Sequence, residues 1–224
     1  MSKVYIDLHI HSQDSNNTGS TISNHSDLQM LQKLVSNHVR VACFADHDNL
    51  FIDSYNRRNK IIEQNGYNLT LLPGCEINLF NGSKSAQAIL VFKPDQDLIK
   101  IKKMVNKNKL TYRDVFTKFS EFDFMIFPHT GKGKDIINPN ELNQCYITGF
   151  DSSNPKSRNL KKAMQLYPWV SDVYFSDVHN WNKYPFDNNN YRTAIEWDEN
   201  LNNANSIYEY LKKTFSDKTK IYKY

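Results

Sequence analysis

Five of the seven histidines in this sequence follow a short apolar run, and these are His9, His11, His47, His129 and His179. Acidic or other polar residues accompany each of them. Imidazole and carboxylate groups are common protein ligands of borderline divalent cations such as Zn²⁺, Mn²⁺ and Fe²⁺. The histidines and their neighbours are therefore the first residues to test for chemistry.

The pair His9 and His11 lies in Asp7-Leu8-His9-Ile10-His11. Residues i and i+2 of a strand point to the same face, so both imidazoles could bind one ion. The alternative is two surface histidines that flank Ile10. Asp177 and His179 repeat this spacing after the apolar run Val173-Tyr174-Phe175.

Three further clusters each follow an apolar run: Asp46-His47-Asp48, Gly74-Cys75-Glu76 and Pro128-His129-Thr130. His47 is the better ligand candidate of the first, because Asp48 could instead cap the next helix. Alternation turns Cys75 away from Glu76, so we interpret Cys75 as structural. Charged groups at strand ends are costly to bury unless they meet a cation. Taken together, the five clusters predict a multinuclear metal site.

The elements that must position these residues alternate short apolar runs with amphipathic stretches. About seven predicted strands, from Val4–Ile6 to Val173–Phe175, alternate with helical patterns such as Asp27–Asn37 and Ile52–Asn65. Such alternation is typical of parallel βαβ units. The sequence therefore predicts an α/β fold, a distorted (β/α)7-type TIM-like barrel. Its metal site would lie at the C-terminal ends of the strands.

Composition excludes several classes of protein. The 224 residues include 39% hydrophobic and 13% aromatic residues, with only seven glycines and seven prolines, which excludes fibrous and Pro-rich disordered chains. There is no apolar run of the roughly 18–20 residues that a membrane span needs. The start of the chain lacks a signal-peptide apolar segment, and the three cysteines are widely spaced. These features predict a cytoplasmic protein, with residues 1–224 as one domain.

The order of the motifs, D-x-H-x-H, D-H-D, G-x-E, P-H and S-D-x-H, resembles the PHP (polymerase and histidinol phosphatase) family of metal-dependent phosphoesterases. The resemblance covers nearly the whole chain, from Asp7 to His179. It implies a distorted barrel and two or three divalent ions, Mn, Zn or Fe. It also implies a hydroxide bound to these ions as the attacking group, with no protein nucleophile.

The resemblance also implies a role for each ligand. His9, His11 and Asp177 would bind one ion, and Glu76 would bridge it to a second ion. The remaining implied ligands are His129 on the second ion, and His47 and His179 on a third. Glu76, His129 and Asp177 would serve catalysis through the metal-bound hydroxide.

Two positions depart from the family pattern. Gln87 stands where members often have a histidine, and Asn16, with Asp14 nearby, stands where they often have Asp or His. Amide oxygen is a poorer transition-metal ligand than imidazole or carboxylate, so two sites could be weaker. Lys132 and Lys134 could contact a substrate phosphate, although a solvated basic loop is the alternative.

The resemblance favours a phosphomonoesterase that acts on a phosphorylated small molecule. The alternative is a 3′–5′ exonuclease or a nuclease that processes nucleic-acid ends, possibly beside a partner ATPase in defence or repair. The net charge of +4 does not decide between these substrates. A second alternative is a degenerate domain that binds metal or a partner without turnover. No membrane partner is expected, and the oligomeric state stays open.

Overall fold

The computed structural model describes residues 2–18, 21–81, 84–105, 110–132, 142 and 146–224. Most of its strands have six residues or fewer, and the longer ones are the N-terminal strand and the two strands of the central hairpin. The strands are β1 (Ser2–Ile10), β2 (Val39–Phe44), β3 (Thr70–Leu71), β4 (Gly74–Asn81), β5 (Lys84–Phe92), β6 (Phe124–Pro128), β7 (Gly149–Asp151), β8 (Ser171–Val173), β9 (Thr193–Trp197) and β10 (Ile221–Lys223).

Six α-helices occur in the described part of the chain, and the two predicted above, Asp27–Asn37 and Ile52–Asn65, are present to within one residue at each end. The six helices are α1 (Asp27–Ser36), α2 (Ile52–Asn65), α3 (Leu98–Met104), α4 (Tyr112–Lys118), α5 (Arg158–Leu166) and α6 (Ala204–Phe215). Local signals explain their bounds. Ser26 caps α1 in a capping box with Gln29, and Gly66 ends α2 in the left-handed conformation at φ 61°. No helix among the described residues is both long and apolar enough to cross a membrane.

The predicted TIM-like barrel is wrong. The described strands form three separate mixed or small sheets rather than a closed barrel, with the orders β10-β9-β1-β2-β3, β4-β5-β6 and β7-β8. A parallel barrel needs a helical crossover between neighbouring strands. Here β4 and β5 are antiparallel and are separated by two residues, and β9 runs antiparallel to β1.

Single-residue bridges connect the ends of these sheets. His47 bridges to Glu76, His129 bridges to Asp151, and Ile10 bridges to Val178, all in parallel orientation. Residues that the sequence singled out for chemistry therefore lie where one sheet meets the next.

Apolar packing on both faces of β5 holds the neighbouring strand β4 in place. Along β5, Ala88, Leu90 and Phe92 pack in one apolar cluster with residues of α3 and α4. Ile89 and Val91, on the opposite face, pack in a second cluster with residues of β1, β6 and α6. Because both faces of β5 are buried, the neighbouring strand β4 and its Glu76 are held between two packed layers.

Candidate metal centre

His9 and His11 form the centre of the site. Both side chains are fully buried, and their Nε2 atoms lie 3.0 Å apart. The strand alternation predicted this shared face. The indole Nε1 of Trp181 donates a 2.8 Å hydrogen bond to the backbone oxygen of His11, which fixes the end of β1.

Glu76 directs its two carboxylate oxygens toward different histidines. Oε1 lies 3.4 Å from Nε2 of His129 and 3.8 Å from Nε2 of His9. Oε2 lies 2.6 Å from Nδ1 of His47 and 3.6 Å from Nε2 of His11. Burial alone would raise the pKa of Glu76, but His47 and the other three imidazoles hold it well below its ordinary value. The buried carboxylate is therefore ionised, and four imidazole nitrogens lie within 3.8 Å of its oxygens.

Asp177 closes the opposite side of the histidine pair. Its Oδ1 lies 3.3 Å from Nε2 of His9 and 3.2 Å from Nε2 of His11. Its backbone has φ 51°, which is uncommon for a residue other than glycine and is typical of functional sites. His179 packs its ring against that of His11, with centroids 4.7 Å apart, and is 30% exposed.

Three groups of side chains in the described part of the chain have ligand atoms close enough to hold a metal ion. They are His9, His11 and Glu76; His11, His47 and His179; and His9, His129 and Asp151. Bonds of 2.0–2.1 Å in a tetrahedral site separate the ligand atoms by about 3.3 Å. The separations of 3.0–3.8 Å around Nε2 of His9 agree with that value. The residues present therefore fit divalent metal ions.

Asp151 is the candidate ligand that the sequence analysis missed. It is the last residue of β7 and is fully buried, and its Oδ2 lies 2.8 Å from Nδ1 of His9 and 3.8 Å from Nε2 of His129. The sequence does carry a signal, because Asp151 directly follows the run Tyr146–Phe150, as the other candidate ligands follow apolar runs. It was overlooked because no histidine stands beside it.

Lys132 lies inside the site rather than in a solvated loop. Its Nζ lies 2.9 Å from Oδ2 of Asp151, 3.1 Å from Nδ1 of His9 and 3.5 Å from Oδ2 of Asp177. Burial opposes the charged form, but the carboxylates of Asp151 and Asp177 raise the pKa of Lys132. Lys134 lies outside the described residues.

A second layer of polar groups orients the histidines. Asp46 is buried and accepts hydrogen bonds from Ser12 N at 2.7 Å and from Ser15 Oγ at 2.6 Å. Ser15 Oγ lies 3.4 Å from Nδ1 of His11 and accepts from the backbone N–H of His47 at 3.3 Å. Asp46 thus acts on two candidate ligands through one hydroxyl, as outer carboxylates do in metal sites.

Asp7 holds the segment that carries Asp177. Its carboxylate accepts from the backbone N–H of Ser176 at 3.0 Å and from the hydroxyl of Tyr184 at 3.0 Å. Burial raises the pKa of Asp7 to about 6, although these hydrogen bonds oppose the rise. Asp7 is therefore a support of the site.

The three extra candidates lie in different surroundings. Asp14 pairs with Arg58 at 3.1 Å, and Asn16 accepts from the backbone N–H of Ile22 at 2.6 Å. Gln87 is half-buried on the same face of the β4–β5 hairpin as Glu76, since Asn78 pairs with Gln87 and Glu76 with Ile89.

Asp48 and Cys75 lie close to the candidate ligands but have structural roles. Asp48 does not cap α2, whose first turn has no side-chain cap; it accepts from the backbone N–H of Asn78 at 3.0 Å instead. Cys75 is buried in the cluster on the face opposite Glu76, as predicted, and both it and Cys43 are free thiols. Cys145 lies outside the described residues.

No family model matches this chain, and no curated protein matches it. Solved structures do match its fold. A protein from Bifidobacterium adolescentis assigned as a metal-dependent phosphoesterase is 13% identical, with a TM-score of 0.57 over 91% of this chain and 94% of that one. PsfC from Pseudomonas syringae is 14% identical, with a TM-score of 0.61 over 100% of this chain and 92% of that one.

An amidohydrolase from Chromobacterium violaceum, solved with sulfate and without metal, is 10% identical. Its TM-score is 0.59 over 94% of this chain and 97% of that one. The chain therefore shares its fold with proteins described as hydrolases, and its own residues supply His, Asp and Glu groups that could bind metal. Membership in the PHP family stays a prediction.

Proposed function

We propose that this protein hydrolyses phosphoester bonds with more than one divalent ion, and that phosphomonoesters are its substrates. The observation that carries the proposal is Glu76, whose two oxygens each lie within 3.8 Å of two imidazole nitrogens. A carboxylate in that position can hold two ions side by side. His9, His11, His47, His129, Asp177 and His179 complete the proposed ligand set.

Bound divalent ions would lower the pKa of a water molecule and stabilise negative charge on phosphate oxygens. The protein's part is to hold the ligands without reorganisation. Asp151 orients His9 through its contact with Nδ1, and Asp46 orients His11 and His47 through the hydroxyl of Ser15. Asp7 holds the segment from Ser176 to Tyr184. The buried carboxylates also keep the centre negative, which favours cations over a bare anion.

The exposure of the ligands favours a small or terminal phosphate. His9, His11, Glu76 and His129 are buried, whereas His47, Asp177 and His179 are 12%, 19% and 30% exposed. A substrate would therefore reach the ions past His47 and His179. A terminal phosphate group projects far enough to enter such an opening more readily than an internal phosphodiester of a duplex.

Turnover of defined substrates tests the proposal. Protein reconstituted with Mn²⁺, Zn²⁺ or Fe²⁺ should release phosphate from p-nitrophenyl phosphate or nucleoside monophosphates, and His9→Ala should abolish this. His25→Ala is the matched control, because His25 contacts Ser23 and Asn182 outside the cluster. A phosphatase should show a shallow salt dependence, whereas nucleic-acid binding weakens steeply with salt. Release of nucleotides from a labelled oligonucleotide, without monoester cleavage, would favour the nuclease.

A second candidate is amide hydrolysis, which is favoured by the Chromobacterium violaceum neighbour. Amide substrates belong in the same panel. Metal binding without turnover of any substrate would instead support a noncatalytic domain.

A further inference from the structure

Lys132 places a buried ammonium group beside the candidate metal ligands. The side chain is 7% exposed, and its nearest carboxylate, Asp151, is fully buried. Asp177 contributes a second carboxylate at 3.5 Å. Burying a single carboxylate without a partner is costly, so a cation at this position stabilises the fold before any ion binds.

Only two of the three side chains in the group His9, His129 and Asp151 have an atom available to bind an ion. Nε2 of His9 faces His11, Glu76 and Asp177, so this nitrogen belongs to the central group. If Nε2 is kept for an ion, Nδ1 carries the hydrogen and donates it to Asp151, which lies at 2.8 Å. His129 and Asp151 then remain as the only two described members able to coordinate an ion there.

We propose that Lys132 is the resident cation of the His9–His129–Asp151 group, so that this group takes no metal ion of its own and His129 can share an ion only with Glu76, whose Oε1 lies 3.4 Å from its Nε2. The inference rests on the metal-dependent activity proposed above and limits the number of ions. Lys132 neutralises Asp151 while Asp151 orients His9. Lys132 also contacts Oδ2 of Asp177 and so leaves Oδ1 directed at His9 and His11.

This role differs from binding a substrate phosphate. Two of the three N–H donors of the ammonium group can be directed at carboxylate oxygens, Oδ2 of Asp151 at 2.9 Å and Oδ2 of Asp177 at 3.5 Å, and the side chain is only 7% exposed. A phosphate ligand would instead direct its ammonium toward the exposed side, near His47 and His179.

Metal stoichiometry tests the inference. Lys132→Met keeps the length of the side chain but removes the charge, and it should bind one more equivalent of Mn²⁺ or Zn²⁺ than the wild type. Lys132→Arg keeps a cation and should bind the wild-type number. Lys93→Met is the matched control, since Lys93 pairs with Glu209 on the surface. The metal-free Lys132→Met variant should also melt at a lower temperature, and metal should restore its stability.

A double variant tests whether an extra ion in Lys132→Met binds to a new site at Asp151 or follows from a general disturbance of the fold. Lys132→Met with Asp151→Asn removes both charges, so it should bind only the wild-type number of ions and should fold without metal. Equal stoichiometry in folded Lys132→Met and wild type would overturn the inference while leaving the proposed function intact. A wild type that binds no ion would instead overturn the proposed function. A raised KM for phosphate monoesters in Lys132→Met, with unchanged stoichiometry, would assign Lys132 to the substrate.

Discussion

Nδ1 of His47 lies 2.6 Å from Oε2 of Glu76, although β2, which precedes His47, and β4, which carries Glu76, belong to different sheets. The other carboxylate oxygen faces His129 and His9. Glu76 therefore spans the candidate centre, whereas His47 belongs to one end of it. This difference between the two residues gives a direct test of the bridging role.

Glu76→Gln should reduce the bound metal by two ions. A neutral amide is a poor ligand, and the variant loses the carboxylate whose two oxygens would each bind one ion. His47→Ala should remove only one ion, since it takes one imidazole from the group with His11 and His179. Elemental analysis after gel filtration measures both losses. Equal losses in the two variants would contradict the bridging role of Glu76.

The helix bounds and the shared face of the candidate ligands His9 and His11 were predictable because their signals are local. The cap at Ser26 and the stop at Gly66 are encoded within a few residues, and the structure has both. The shared face of His9 and His11 follows from strand alternation alone. Such features depend on neighbours in the sequence and not on which strands pair.

The strand pairing was not predictable in the same way. The apolar run before it made Gly74-Cys75-Glu76 look like the end of a strand, whereas this segment begins β4, which pairs antiparallel with β5. The Asn81-Gly82 dipeptide is a typical hairpin signal and could have revealed this connection. The direction of β9 relative to β1 has no comparable signal, because it depends on packing between distant segments.

Asp46→Ala should weaken metal binding by about 10–100-fold, the usual effect of removing an outer-sphere partner. The change leaves the Ser12 and Ser15 donors without their carboxylate, which should lower the free energy of unfolding by about 1–3 kcal/mol. Metal titration and urea unfolding measure the two effects. Asp46→Asn keeps one acceptor oxygen and should lose less of both. Unchanged metal affinity in Asp46→Ala would show that Ser15 does not orient His11 or His47.

Asp172 should make stability sensitive to acid at a place remote from the metal ligands. Burial alone would raise its pKa, but hydrogen bonds from Lys223 at 2.5 Å and from the Tyr174 hydroxyl at 2.7 Å lower it below the ordinary 3.8. A lowered folded-state pKa stabilises the protein above about pH 4, and this contribution is lost as the pH falls through the folded-state value.

Asp172→Asn should therefore be less stable than the wild type at pH 7, by about 1 kcal/mol, and the difference should shrink toward pH 3. Urea unfolding at several pH values measures it. Asp95→Asn is the control, because Asp95 is half exposed and lies 3.8 Å from Lys93. A difference that stays constant between pH 7 and pH 3 would show that Asp172 does not titrate with folding.

Gln87→His should strengthen the weakest metal position. Gln87 shares the sheet face of Glu76, and its backbone oxygen accepts from the N–H of His129 at 2.9 Å, so it lies beside two candidate ligands. An imidazole there should raise the affinity for the most labile ion by about tenfold, and the gain should fade from pH 8 to pH 6 as the ring is protonated. Metal titration across this range measures the gain. Gln87→Leu is the control, because it fills the position without a ligand atom and should not bind the ion more tightly than the wild type. If Gln87→His matches the wild type at every pH, the side chain at position 87 does not reach the ions, and the missing ligand must come from another element.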